Sequence, residues 1–171
     1  MVDVAQQHDA IMMTAIVVAL VLVTFVAGWL AGRSGLGSTV NPASLAERER
    51  LFVERMRSSV LVGVFTTDGE ATMPTAERYE IAGVEKIDDD LWRFNATLNC
   101  CGITGSMPVA VPLRWAGDTP MIAMTDTTLP GLGTFTVRLF FYEQRYAGTW
   151  QHGPRRGQMH GRIEKQIATA S

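Results

Sequence analysis

The chain predicts an all-β fold with an N-terminal transmembrane helix. The β part is an antiparallel meander of seven or eight strands, closed into a barrel or folded into a sandwich, and one amphipathic helix precedes it. Three observations predict this. Ala10 to Gly32 carries no charged side chain; the chain from Ser59 onward alternates apolar and polar residues; and turn-forming clusters cut that alternation into short segments. Successive strand side chains point to opposite faces, so alternation marks strands with one wet face.

Residues 1–9 form a short tail and residues 10–32 the membrane span. Ile11, Ile16, Leu20, Leu22, Phe25 and Trp29 are among its apolar residues. At about 1.5 Å per residue the run is long enough to cross a hydrocarbon core of roughly 30 Å. A cleaved signal peptide wants a basic start and a shorter apolar stretch. Here the start holds Asp3 and Asp9 and no Lys or Arg, so an uncleaved span is expected, with the lipid bilayer as its partner. Gly28 and Gly32 form a small-residue pair that offers a close-approach face for a weak homodimer.

Residues 33–41 read as a flexible linker rich in Gly and Ser, and residues 42–57 as the amphipathic helix. Asn41 suits its cap and Pro42 its first position. Leu45, Phe52, Val53 and Met56 fall near one face, and Arg50–Glu54 is spaced for an i,i+4 pair. The helix is expected to pack on the β-domain or close one end of it.

The β-domain is expected over residues 58–165, with a disordered tail at 166–171. Val60, Val62 and Val64 alternate with their neighbours, as do Trp92, Phe94, Ala96 and Leu98, then Val109, Val111 and Leu113, then Phe135, Val137, Leu139 and Phe141. Further strands are expected at Glu77–Val84, Met121–Thr125, Arg145–Gln151 and Gln158–Glu164. Turn signals lie at Thr67-Asp68-Gly69, Asp88-Asp89-Asp90, Ala116-Gly117-Asp118, Pro130-Gly131-Leu132-Gly133 and His152-Gly153-Pro154. Closure into a barrel would remove exposed strand edges. Pro108 and Pro112 lack donors, which places their strand at an edge, a bulge or a barrel seam.

Charge narrows the function classes. Asp3 and Asp9 precede Arg33 and no base does, so the chain after the span carries 15 acids and 15 bases. That balance argues against nucleic acid and against strong binding to anionic lipid surfaces. The flank charges, with Arg33, Arg48 and Arg50 after the span, favour a cytoplasmic domain.

Trp115-Ala-Gly-Asp-Thr-Pro, Leu129-Pro-Gly-Leu-Gly-Thr-Phe-Thr and Arg145-Tyr-Ala-Gly-Thr-Trp, with Leu61-Val-Gly-Val-Phe-Thr and Asp90-Leu-Trp-Arg-Phe, resemble a family of uncharacterised bacterial proteins common in planctomycetes. The likeness spans roughly residues 48–165. It implies a β-rich domain on exported or membrane-anchored chains, hence an extracytoplasmic domain, and brings no known activity. Relatives carry a Gly-Gly-His-Met-like segment where this chain has Arg156-Gly157-Gln158-Met159, which speaks against a histidine role there.

The candidate chemistry is sparse, and no catalytic residue, cofactor or metal site is expected. Cys100-Cys101 lacks the C-x-x-C spacing of redox and zinc sites, and a set with His152 and His160 matches no zinc motif. Asp118 and Asp126 flank one strand and could form an acid–base pair, though turn capping accounts for Asp118. Asp88-Asp89-Asp90 lacks the Gly and distal Glu of a calcium loop. Gly131-Leu132-Gly133 is a turn between strands, not a phosphate cradle. Gly148-Thr149-Trp150 with Arg162 resembles the tryptophan–arginine pair at the closed end of lipocalin-like barrels, although here the motif lies in the penultimate strand, out of that order; the likeness implies a structural stack of Arg162 on Trp150. Trp150 is expected on the inner face with Tyr146 and Gly148. Met107, Met121, Met124 and Met159 fill core gaps or line an adaptable apolar cavity.

The expected function is therefore a membrane-anchored, non-enzymatic β-domain that binds a small apolar ligand or a protein partner at the cell envelope. The alternatives are an enzyme with a cleft gathering Arg93, Arg114, Arg138 and Asp126, or a purely structural envelope protein.

Overall fold

The computed structural model describes residue 20, residues 22–24, 39–70, 73–100, 103–129 and 131–166. Among these, eight strands form one closed antiparallel barrel in simple sequence order. They are β1 (Ser59–Phe65), β2 (Thr75–Lys86), β3 (Leu91–Cys100), β4 (Ile103–Ala116), β5 (Thr119–Leu129), β6 (Gly133–Tyr142), β7 (Arg145–His152) and β8 (Arg155–Lys165). β1 pairs with both β2 and β8, through Leu61↔Tyr79 and Leu61↔Ile163, which closes the sheet. The barrel alternative is thus the right one, and the sandwich is excluded.

The expected membrane span, residues 10–32, and its Gly28–Gly32 pair lie outside the described residues, apart from residue 20 and residues 22–24, which are helical. Among the described residues no helix is long and apolar enough to cross a membrane.

The expected helix over 42–57 is two elements. A 3-10 turn, Pro42–Ser44, is capped by the Asn41 side chain, which accepts from the Ala43 N–H at 2.9 Å. Leu45 is extended, so it leaves the helical face assigned to it. The α-helix, α1 (Glu47–Met56), then starts afresh, with the Glu49 carboxylate accepting from the Ala46 N–H at 3.1 Å. Ser44 donates both its backbone N–H and its hydroxyl to the Asn41 carbonyl, at 2.9 and 2.8 Å, and ends the first turn. The pair expected between Arg50 and Glu54 is replaced by i,i+3 pairs, Arg50–Glu47 and Arg57–Glu54. The linker is anchored at its end, because the Val40 N–H donates to the Lys86 carbonyl at 2.8 Å.

α1 closes one end of the barrel. Phe52, 2% exposed, lies among Trp92, Phe94, Trp115 and Phe141 with ring centroids 5.7–6.3 Å apart. Met56 is fully buried beside it. Two cations fasten the plug. Lys86 of β2 pairs with Glu49 of α1 at 2.7 Å and sits 5.9 Å from the Trp92 ring centroid. Arg48 lies 5.0 Å from the Trp115 centroid and donates to the Gly117 carbonyl at 3.1 Å. Trp92 is buried with its indole N–H unpaired.

The β4–β5 ladder is short, running only from Leu113↔Ile122 to Ala116↔Thr119. The Leu113 N–H donates to Asp90 O, on the β3 side. Backbone groups alternate sides along a strand, so Pro108 and Pro112 turn their donorless nitrogens toward β5. The predicted seam is therefore present, and the two prolines account for it. Across from it, β5 bulges between Met124 and Thr127, with Asp126 at φ 46°.

Candidate binding site

The inward-facing side chains are graded along the barrel axis. At the α1 end, Trp92, Leu113, Phe141 and Ile81 are buried. Toward the opposite end, Phe65, Val109, Phe135, Trp150 and Met159 keep the inner face but are only half-buried. The inner side chains are fully buried at the α1 end and only half-buried at the other, which we call the mouth. Phe65 and Trp150 meet edge-on with centroids 5.7 Å apart, and the Trp150 indole N–H donates to the Thr66 carbonyl at 3.2 Å. His152 stacks on Phe135 at 4.4 Å on the rim.

Inside the wall lies a polar cluster. Glu77 of β2 is 3% exposed. Its two carboxylate oxygens each accept one tyrosine hydroxyl: Tyr146 donates to Oε1 and Tyr79 to Oε2, both at 2.8 Å. Tyr146 reaches from β7 to β2 because one row of the barrel reads Tyr146↔Gly161, Gly161↔Gly63 and Gly63↔Glu77. A β-carbon on Gly161 would lie 2.7 Å from the Tyr146 ring, and one on Gly63 would strike its hydroxyl. The two glycines are the slot in which the tyrosine lies.

Burial pushes the Glu77 carboxyl above its ordinary value, while the hydrogen bonds from Tyr146 and Tyr79 and the charge of His160 pull it partly back. Burial first, and then the bond to Glu77, push the Tyr146 hydroxyl well above the usual phenol range. The chemistry available is that of a buried acid held by two neutral tyrosine donors.

The residues singled out for an enzymatic cleft do not converge. Arg93 pairs with Glu85 at 2.6 Å and Arg114 with Asp90, while Arg138 donates to the Met124 carbonyl and, at 2.7 Å, to the Thr125 hydroxyl. Asp126 is held at its bulge by Thr136, whose hydroxyl oxygen accepts the Asp126 N–H at 3.0 Å. Asp118 sits in the β4–β5 turn, about eight strand residues or roughly 26 Å along the chain from Asp126, so the two form no acid–base pair. Asp90 is held by Arg114 within the β2–β3 turn. Gly131 and Gly133 belong to the β5–β6 hairpin, and a strand follows them.

Arg162 pairs with Glu164 at 3.0 Å on the exposed surface, whereas Trp150 faces inward, so the expected stack between them is absent. The cations on tryptophans are Arg48 and Lys86 instead. Of the methionines, Met107, Met124 and Met159 share the inner face, but Met121 pairs with Arg114 and Phe140 on the outer one. Cys101 and the Cys100 side chain lie outside the description. Among the described residues no group of three or more His, Cys, Asp or Glu is placed to hold a metal ion.

Glu77, Tyr79 and Tyr146 did not stand out in the sequence as a site. A signal was present: Glu77 shares strand parity with Tyr79 and Ile81, so a charge occupies an inward position, and Gly63 and Gly161 occupy inward positions opposite. Comparisons of the chain with protein families, curated proteins and solved structures find no match.

Proposed function

We propose that the chain is a membrane-anchored, non-enzymatic binding protein whose barrel holds a small, largely apolar ligand at its mouth. The packing gradient carries this reading: a barrel sealed by α1 at one end and lined by half-buried apolar side chains at the other is the form of a ligand-holding barrel. The separate pairing of Arg93, Arg114 and Arg138 favours binding over catalysis.

Residues 10–32 are the proposed anchor, and the resemblance to exported chains supports an extracytoplasmic domain. Val40 joins the barrel at its α1 end, so the mouth would face away from the bilayer toward soluble ligands. An impermeant maleimide, applied to a variant whose one cysteine lies in the exposed turn at Gly153-Pro154 between β7 and β8, tests sidedness. Labelling of intact cells supports the reading, and labelling only after lysis contradicts it.

Ligand binding is tested on the full chain in nanodiscs of zwitterionic lipid, with 6-bromohexanol as a heavy-atom quencher. Saturable quenching that disappears in Trp150→Phe supports the reading. Quenching that stays linear with concentration, or is the same in Trp150→Phe, contradicts it.

A further inference from the structure

Glu77 is a buried acid without a buried base. No described Lys, Arg or His forms a salt bridge with it, and the half-buried Lys86 is committed to Glu49 at the closed end. The favourable charge that acts on Glu77 is His160, an exposed residue on the outer face of β8. Each Glu77 oxygen holds one tyrosine hydroxyl, and an ionised carboxylate offers about four acceptor sites, so acceptor capacity remains. The wall around it is aromatic: Tyr79 and Tyr146 on the acid itself, with Phe65 and Trp150 toward the mouth. Aromatic faces attract cations, and a cation beside Glu77 would stabilise its ionised form against the burial that disfavours it.

We propose that the mouth takes a small organic cation, an alkylammonium, whose apolar chain lies against the aromatic wall and whose N–H groups pair with the Glu77 carboxylate. This rests on the reading of the mouth as a binding site and gives its ligand a chemical class. The tyrosines hold the carboxylate at a fixed place before the ligand arrives, so little ordering remains to be done on binding. A carboxylic acid of the same length would meet Glu77 as a like charge, and an alcohol would gain one hydrogen bond to the carboxylate without the attraction of an opposite full charge. Burial of Glu77 works in the same direction, because a bound cation relieves the cost of its charge.

The test is displacement of 6-bromohexanol from the full chain in zwitterionic nanodiscs by hexylammonium, 1-hexanol and hexanoate. Hexylammonium should compete at a concentration lower than 1-hexanol by about tenfold or more, with hexanoate weakest. Glu77→Gln keeps the shape and should bring hexylammonium to the level of 1-hexanol measured in the same variant, with the loss for hexylammonium much larger than any for 1-hexanol. Equal competition by hexylammonium and 1-hexanol in the wild type, or a preference that survives Glu77→Gln, overturns the proposal and leaves the binding mouth standing. Absence of saturable 6-bromohexanol quenching overturns both. If Glu77→Gln fails to fold, the order of the three ligands in the wild type decides.

Discussion

Phe52→Ala removes the centre of the plug. The ring is 2% exposed and faces four aromatic neighbours, three of them edge-on at 6.0–6.3 Å and Phe141 tilted at 5.7 Å. Those neighbours sit on β3, β4 and β6, whose backbones are held by their ladders, so the space left behind has little means to collapse. Truncation of a buried Phe costs about 3–5 kcal/mol. With a urea slope of about 1–3 kcal/mol per molar, the midpoint should fall by at least about 1 M. Leu51, the preceding residue, is 53% exposed, and Leu51→Ala should stay within about 0.5 kcal/mol of the parent. The assay is urea unfolding of the full chain in nanodiscs, followed by near-ultraviolet circular dichroism of the packed tryptophans. Equal midpoints for the two variants would refute the claim that α1 seals the barrel with this face.

Three further outcomes follow from the same geometry. Trp150→Ala should lower the urea midpoint less than Trp92→Ala, because Trp150 is half-buried at the mouth and Trp92 fully buried at the plug; the reverse order would invert the packing gradient. Lys86→Met should cost about 3–5 kcal/mol, since it strands the buried Glu49, whereas Arg50→Met breaks an exposed pair and should cost under about 1 kcal/mol; similar melting temperatures would contradict this. Glu77 has a folded-state pKa raised above its ordinary 4.5, so its contribution to stability is full below that value and is lost as pH rises through the folded value. Urea midpoints measured across that window should therefore fall in the wild type relative to Glu77→Gln, and a relative rise would contradict the sign.

Much of the fold was legible because alternation survives burial on one side only. The phases of β3 and β6 are those of the barrel, whereas β1 turns Leu61, Gly63 and Phe65 inward rather than Val60, Val62 and Val64, because both of its faces carry apolar residues; Pro108 and Pro112 marked the seam by a missing donor, a property fixed by residue type. The division of the N-terminal helix was hidden because Pro42 to Arg57 is helix-compatible throughout; its break depends on the Asn41–Ser44 bonds and the docking of Val40 on β2. The turn at Glu143-Gln144 carries no usual turn residue, and Glu143 adopts φ 50° because the Tyr142↔Arg145 pairing demands it. Trp150 was correctly placed on the inner face, but its depth depends on which barrel end α1 fills, a tertiary fact. The Glu77 cluster was missed for a similar reason. Its parts lie on β1, β2, β7 and β8, and only barrel closure through β1 and β8 brings Tyr146 to Glu77.

The most direct test of a barrel sealed at one end and receptive at the other is methyl NMR of the full chain labelled at methionine, titrated with 1-hexanol. The methionines sample the barrel at known places: Met107 and Met159 toward the mouth, Met56 in the plug and Met121 on the outer wall. The account predicts saturable shifts at Met107 and Met159 with Met56 and Met121 unmoved. Shifts at Met56 as large as those at the mouth, or no saturable shift at Met107 and Met159, would contradict it.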